Sequence, residues 1–211
     1  MIHEILPVGP LQCNCYLVGC EESREALLID PGEDAELILP LIAKHRLNVR
    51  YILSTHAHID HVGDLEQMKQ ATGAEALLHE QDLILYQNLP MQAAWLGVPV
   101  PPSIKIDSFV ADRDELRFGK HTGEVLFTPG HTPGSICLHL PEGNGKLFSG
   151  DTLFYRSIGR TDLWGGSQET IFRSLRGKLL ALEDNTIVYP GHGQPTTIGE
   201  ERRLNPFLST R

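Results

Sequence analysis

The stretch Thr55-His56-Ala57-His58-Ile59-Asp60-His61 sets three imidazoles and one carboxylate almost side by side, directly after the apolar run Tyr51-Ile52-Leu53 and Ser54. Imidazole nitrogen and carboxylate oxygen are donors that zinc and other borderline first-row metals accept. Packing does not account for the crowding, because His and Asp are seldom buried without partners. Further spots share one plan, a metal-competent side chain just past a predicted strand and next to Gly or Pro: Gly130-His131-Thr132, Gly150-Asp151-Thr152, Gly191-His192 and Ile29-Asp30-Pro31-Gly32. Small residues let the backbone turn sharply there and bring the side chain toward a shared centre. Taken singly, His131 or His192 reads equally well as a surface or capping histidine, and Asp151 as an N-cap or turn residue. Taken together they read as a metal site. Asp30 fits a turn residue, or a carboxylate that orients a ligand histidine, better than it fits a ligand. His3, His45, His79, His121 and His139 fall outside the pattern.

Such residues need strands to deliver them. Short apolar runs bounded by Gly or charged turns predict strands over residues 2–6, 15–18, 26–29, 49–54 and 74–79. Leu37, Ile38, Leu41 and Ile42 form a helical stripe across 34–45. Leu65 and Met68 face inward from a helix over 62–72 that stops near Gly73. Residues 80–88 predict a short helix, and the proline-rich segment 90–102 an ordered loop overhanging the site. The middle of the chain predicts strands over 108–110, 115–118, 124–127, 135–140 and 146–149. A long helix over 167–182, a strand over 186–189 and a short helix over 199–205 follow. This order predicts an α+β fold, two mixed β-sheets flanked by helices, in one domain over residues 1–211.

The pattern His56-x-His58-x-Asp60-His61, followed by Gly130-His131-Thr132, Gly150-Asp151-Thr152 and Gly191-His192, resembles the metallo-β-lactamase superfamily. Within it the chain is most similar to glyoxalase II-like hydrolases, from Cys15-Tyr16-Leu17-Val18 to His192. The resemblance implies a four-layer αββα sandwich with two divalent metal ions at the sheet rim, zinc first, with iron or manganese as alternatives. It implies one ion on His56, His58 and His131, the other on Asp60, His61 and His192, and Asp151 bridging them. It also implies thioester hydrolysis, S-lactoylglutathione going to lactate and glutathione, with Asp60 and Asp151 as the catalytic pair that positions the attacking hydroxide. The alternatives are a mononuclear-iron persulfide dioxygenase using His56, His131 and Asp151, a lactonase, or a non-catalytic metal-binding module.

The chain departs from better-known glyoxalase II enzymes after His192. Gly193-Gln194-Pro195 replaces their nearby Tyr, and no C-terminal helical substrate-binding extension is expected between Gly193 and Arg211. Arg160, in Ile158-Gly159-Arg160-Thr161-Asp162, is expected either to clamp a substrate carboxylate or to pair with Asp162.

The bulk properties narrow the partners. A formal net charge of -9 argues against general affinity for phosphate backbones. No apolar run reaches the roughly 18 residues of a membrane span. The N-terminus lacks the basic and apolar regions of a signal peptide. Cys13, Cys15, Cys20 and Cys137 form no spaced framework and read as reduced, buried thiols of a cytoplasmic protein. The expected partner is a small thioester derived from glutathione, without nucleic acid or membrane.

Overall fold

Alternation along the second strand shows how the layers are built. In the computed structural model, which describes residues 1–208, β1 (Ile2–Val8) pairs with β2 (Cys13–Gly19), and β2 is buried along its whole length. Because side chains alternate across a strand, Cys13, Cys15 and Leu17 pack on one face while Tyr16 and Val18 pack on the other. The sheet continues through β3 (Glu25–Ile29), β4 (Asn48–Leu53), β5 (Glu75–His79) and β6 (Ser108–Val110), in that order. Pairing is antiparallel up to β3 and parallel from β3 to β6.

The second sheet contains β7 (Glu115–Phe118), β8 (His121–Phe127), β9 (Ile136–Leu140) and β10 (Lys146–Gly150). A small hairpin, β11 (Leu153–Phe154) with β12 (Ser157–Ile158), leaves this sheet, and β13 (Ile187–Pro190) and β14 (Thr196–Thr197) complete it. Its order is β14-β13-β10-β9-β8-β7, with β10 parallel to β13.

The two sheets face each other across Tyr16, Leu27, Leu53 and Leu77 on one side and Val125, Leu138, Phe148 and Tyr189 on the other. The outer face of the first sheet is covered by α1 (Ala35–His45), α3 (Leu65–Thr72), α4 (Leu83–Gln87) and α5 (Leu89–Leu96), with a one-turn α2 (Ile59–Val62) before α3. On the second sheet, Ile171 and Leu175 of α6 (Gln168–Gly177) and Ile198 of α7 (Ile198–Leu204) pack against Leu147 and Val188. The result is the αββα sandwich. Among the described residues no helix is long and apolar enough to cross a membrane, and the four cysteines are buried and unpaired.

Three expectations differ from the structure. Residues 90–102 are not a loop throughout, because α5 occupies Leu89–Leu96. Pro90 sits in its first turn, where a missing N–H costs nothing, and Gly97, at φ 70°, ends it in the left-handed region. The helix expected over 62–72 is interrupted at Gly63 and Asp64, and a Cβ on Gly63 would run into the Gly32 carbonyl. The helix expected over 167–182 ends at Gly177 and is followed by a separate 3-10 turn over Leu179–Ala181. Residues 209–211 lie outside the described residues.

Candidate metal centre

The parallel strands β3 and β4 end on the same rim of their sheet, and β10 and β13 end opposite them. Past β3 stands Asp30, held at a φ of 51°, and past β4 stand Ser54 to His58. Asp30 ties these two segments together. Its Oδ1 accepts from the Thr55 backbone N–H at 2.7 Å and its Oδ2 from the Thr55 hydroxyl at 2.7 Å. Thr55 donates its hydroxyl hydrogen there, so its oxygen is free to accept from His56 Nδ1 at 3.1 Å. His61 Nδ1 lies 3.0 Å from the same Asp30 Oδ2.

This network assigns tautomers, since a ring nitrogen facing an acceptor carries the hydrogen. His56 donates from Nδ1 to Thr55, His61 from Nδ1 to Asp30, His131 from Nδ1 to the Arg160 carbonyl at 2.8 Å, and His192 from Nδ1 to the Leu11 carbonyl at 3.1 Å. Each of these four rings therefore turns its Nε2 inward, and on His61 and His192 that nitrogen faces the carboxylates of Asp151 and Asp60, so a metal binding there would displace a proton from it. His58 presents Nδ1 instead, 3.0 Å from His56 Nε2 and 2.9 Å from His131 Nε2.

Beside this trio lies a second group. His192 Nε2 stands 3.2 Å from Asp60 Oδ2, and His61 Nε2 stands 3.7 Å from it. Asp151 touches both groups: Oδ1 is 3.5 Å from His61 Nε2, while Oδ2 is 3.5 Å from His131 Nε2 and 3.8 Å from His192 Nε2. Glycine makes this approach possible. Gly150 turns at φ 47°, where an L side chain is strained, and a Cβ on Gly191 would collide with Asp151 Oδ1.

The electrostatics are those of a site built around a cation. Burial, then His61 and His131, hold His56 well below the ordinary imidazole value, and burial followed by His131 brings His58 down to about 3. For His61, burial works against the cation, but Cys13 and the carboxylates of Asp60, Asp151 and Asp30 outweigh it and raise its pKa well above the ordinary value. Burial likewise opposes the charge of Asp60, yet His61 and His192 beside it pull its pKa well below the usual carboxylate range.

Two buried polar atoms at the centre, His61 Nε2 and Asp151 Oδ1, have no hydrogen-bond partner. Converging lone pairs and orphaned acceptors are what a divalent ion satisfies, and the nitrogen and oxygen donors suit zinc, iron or manganese. The donor atoms of His56, His58 and His131 lie within 4.8 Å of one another, as do those of His56, His61 and Asp151. Cys13 Sγ lies 3.5 Å from His61 Nδ1, the ring edge turned toward Asp30 and away from Asp60 and Asp151.

The chain matches the family model of the metallo-beta-lactamase superfamily over residues 8–192. It belongs to the metallo-β-lactamase superfamily. It is 42% identical to hydroxyacylglutathione hydrolase GloC of Haemophilus influenzae, across 99% of this chain and 98% of that protein. A more distant relative is the mitochondrial persulfide dioxygenase ETHE1 of Bos taurus, 33% identical over 95% of this chain and 73% of the relative. Among solved structures, BLEG-1 B3 metallo-β-lactamase superposes with a TM-score of 0.92 at 36% identity, covering 99% of this chain and 100% of that one. TTHA1623 in a di-iron-bound form gives 0.88 at 41% identity, covering 97% and 100%.

All seven metal-competent residues read from the sequence, His56, His58, Asp60, His61, His131, Asp151 and His192, meet at this one rim. Arg160 lines the cleft above it, but its guanidinium is engaged by Asp162 at 2.7 and 2.8 Å, and its backbone carbonyl is what holds His131. His3, His45, His79, His121 and His139 lie elsewhere, as expected.

Several supporting residues were missed. Asp82 is fully buried and accepts from Ala57 N, Thr132 Oγ1 and Gly134 N at 2.9, 2.8 and 2.5 Å, binding the His56 loop to the His131 loop. Gln92 accepts from Ile59 N and donates to the Ala57 carbonyl. Asn14 and Tyr16 donate to the Pro190 carbonyl and steady the His192 loop. Nothing local distinguishes Asp82 or Gln92 from ordinary helix-start or surface residues.

Proposed function

We propose that this chain is a metal-dependent thioester hydrolase of the glyoxalase II type, cleaving S-lactoylglutathione to lactate and glutathione. The observation that carries the reading is Asp151, whose two oxygens stand 3.5 Å from His61 Nε2 and 3.5 Å from His131 Nε2, between two separate donor groups. His56, His58 and His131 would hold one divalent ion, Asp60, His61 and His192 the second, with Asp151 shared. When bound, such ions supply Lewis acidity toward water and toward a carbonyl oxygen.

The chain supplies the rest. Asp60 and Asp151 each reach the inner nitrogens of the cluster, so they would orient a water there by accepting its hydrogens; as its oxygen bonds to the acyl carbon and the C–S bond breaks, a carboxylate takes the proton and passes it to solvent. Asp30, Thr55 and the Arg160 carbonyl keep the imidazoles from turning during the reaction. Among the described residues none that lines the cleft is a serine, threonine, cysteine or lysine, and Cys13, beside His61, is buried with its pKa pushed up to about 12 by burial. The thiolate leaves without protonation by the protein, because thiols are far stronger acids than alcohols.

Support for the hydrolase over an oxygenase comes from the relatives. Identity to the hydroxyacylglutathione hydrolase is 42% over 98% of its length, against 33% over 73% for the persulfide dioxygenase. Purified protein with measured metal content, assayed for loss of the S-lactoylglutathione thioester, tests this. Hydrolysis lost on chelation and restored by a divalent metal supports it. One iron per chain, with oxygen uptake on glutathione persulfide and no thioester cleavage, replaces it with the oxygenase.

A further inference from the structure

Above the donor cluster lies a cleft of about 770 Å³ whose floor is His58, Asp60, His131, Asp151 and His192. Its walls are apolar. They are lined by Met91, Trp95 and Leu96 of α5, by Leu163 and Trp164, and by Leu11, whose carbonyl meets His192. Trp95 is 70% exposed, Met91 57% and Trp164 51%. Exposed apolar residues scattered singly need no explanation, but a contiguous set around a polar floor marks a surface that a ligand covers. Both indoles offer flat area that is inexpensive to order.

The charges in the cleft point the same way. Its lining residues include no lysine, and its one arginine, Arg160, is already held bidentately by Asp162. Asp60 and Asp151 would be taken up by the metal ions and Asp162 is paired with Arg160, so the walls present no free charge of either sign. A polyanionic body would find no free cation on these walls.

We propose that the preferred substrate is a thioester whose acyl arm is large and apolar, a chain of about six or more carbons or an aromatic ring, packed against Trp95 and Trp164. This rests on the thioester-hydrolase part of that reading and goes beyond it, ranking large apolar acyl arms above the lactoyl group as the preferred substrates. The lactoyl group is too small and too polar to use these walls, whereas each buried methylene adds about fourfold to binding. Trp95, Trp164 and Met91 are thereby specificity-determining residues.

The test is a series of S-acylglutathiones, acetyl, butanoyl, hexanoyl and phenylacetyl, with the metal-loaded enzyme. The expected kcat/KM for hexanoyl and phenylacetyl exceeds that for acetyl at least about tenfold, well below the ceiling that full burial of the added methylenes allows. Trp95→Ala and Trp164→Ala should each compress that ratio toward one. A second readout needs no catalysis: S-hexylglutathione, a thioether, should bind at least about tenfold more tightly than S-methylglutathione, followed by tryptophan fluorescence. Rates flat or falling with chain length, or equal binding of the two thioethers, overturn the inference while leaving hydrolysis intact. Tight S-hexylglutathione binding with no thioester cleaved supports the apolar preference and instead overturns the hydrolase reading.

Discussion

Replacing Asp30 by Asn tests whether the imidazoles are aimed from behind. Asn retains the size of Asp and tolerates the φ of 51° found there, so the backbone has no reason to move. The hydrogen-bond arithmetic fails in every orientation. The carboxylate accepts three bonds, from Thr55 N, Thr55 Oγ1 and His61 Nδ1. If the amide oxygen takes the place of Oδ2, the amide N–H₂ points at the Thr55 N–H and leaves it buried without an acceptor. If the oxygen faces Thr55 N, the amide donates toward His61 Nδ1, and that ring must carry its hydrogen on Nε2, the nitrogen facing Asp60 and Asp151. An orphaned buried donor costs about 1–3 kcal/mol, and loss of such an orienting partner weakens metal binding about 10- to 100-fold. Competitive titration of zinc against a chromophoric chelator measures the second effect, and urea denaturation of the metal-free protein the first. Metal affinity within about twofold of the parent would refute the aiming role of Asp30.

Asp82→Ala should strand Ala57 N, Thr132 Oγ1 and Gly134 N; a cost of about 3 kcal/mol should lower Tm by roughly 6–12 °C, read by calorimetry. Gly191→Ala places a methyl group against Asp151 Oδ1 and His61 Cε1, and a displacement of that size should reduce kcat/KM about a hundredfold with the circular dichroism spectrum unchanged. His3 gives a pH-dependent prediction. Burial, then Lys146, lowers its pKa to about 4, against the carboxylate of Glu4, so below about pH 6.5 the unfolded chain binds a proton the folded chain refuses. Stability contributed by neutral His3 is complete above pH 6.5 and is lost as pH falls toward 4. With a discount for its partial exposure this amounts to roughly 1–3 kcal/mol. The difference between parent and His3→Phe in urea denaturation at pH 7 and pH 4.5 measures it, and a pH-independent difference would contradict it.

The sequence was most legible where short spacing carried the signal. His56, His58, Asp60 and His61 sit within one loop and the helix turn after it, so their crowding is visible without any fold. His131, Asp151 and His192 were legible because glycine beside each marks a sharp turn past a strand, and those turns gather at one rim. Asp30 was legible as an orienting carboxylate, and its bond to His61 Nδ1 bears that out. Less legible was whatever depends on contacts distant in the chain. Asp82 gains its role only when Thr132 and Gly134 fold over it. The helix at Leu89–Leu96 was hidden because proline reads as a breaker unless its place in the first turn is known. The two possibilities for Arg160, a substrate clamp or a pair with Asp162, differ only in side-chain direction, and the structure shows the pair.

Activity followed while the metal-free chain is titrated with zinc bears most directly on the central claim. Hydrolysis of S-lactoylglutathione or a longer S-acylglutathione should be absent at zero ions and rise to its maximum as two ions bind per chain, with Asp151→Ala abolishing it. A chain that binds two ions and hydrolyses no thioester, or one that reaches full activity with Asp151→Ala, would contradict that claim.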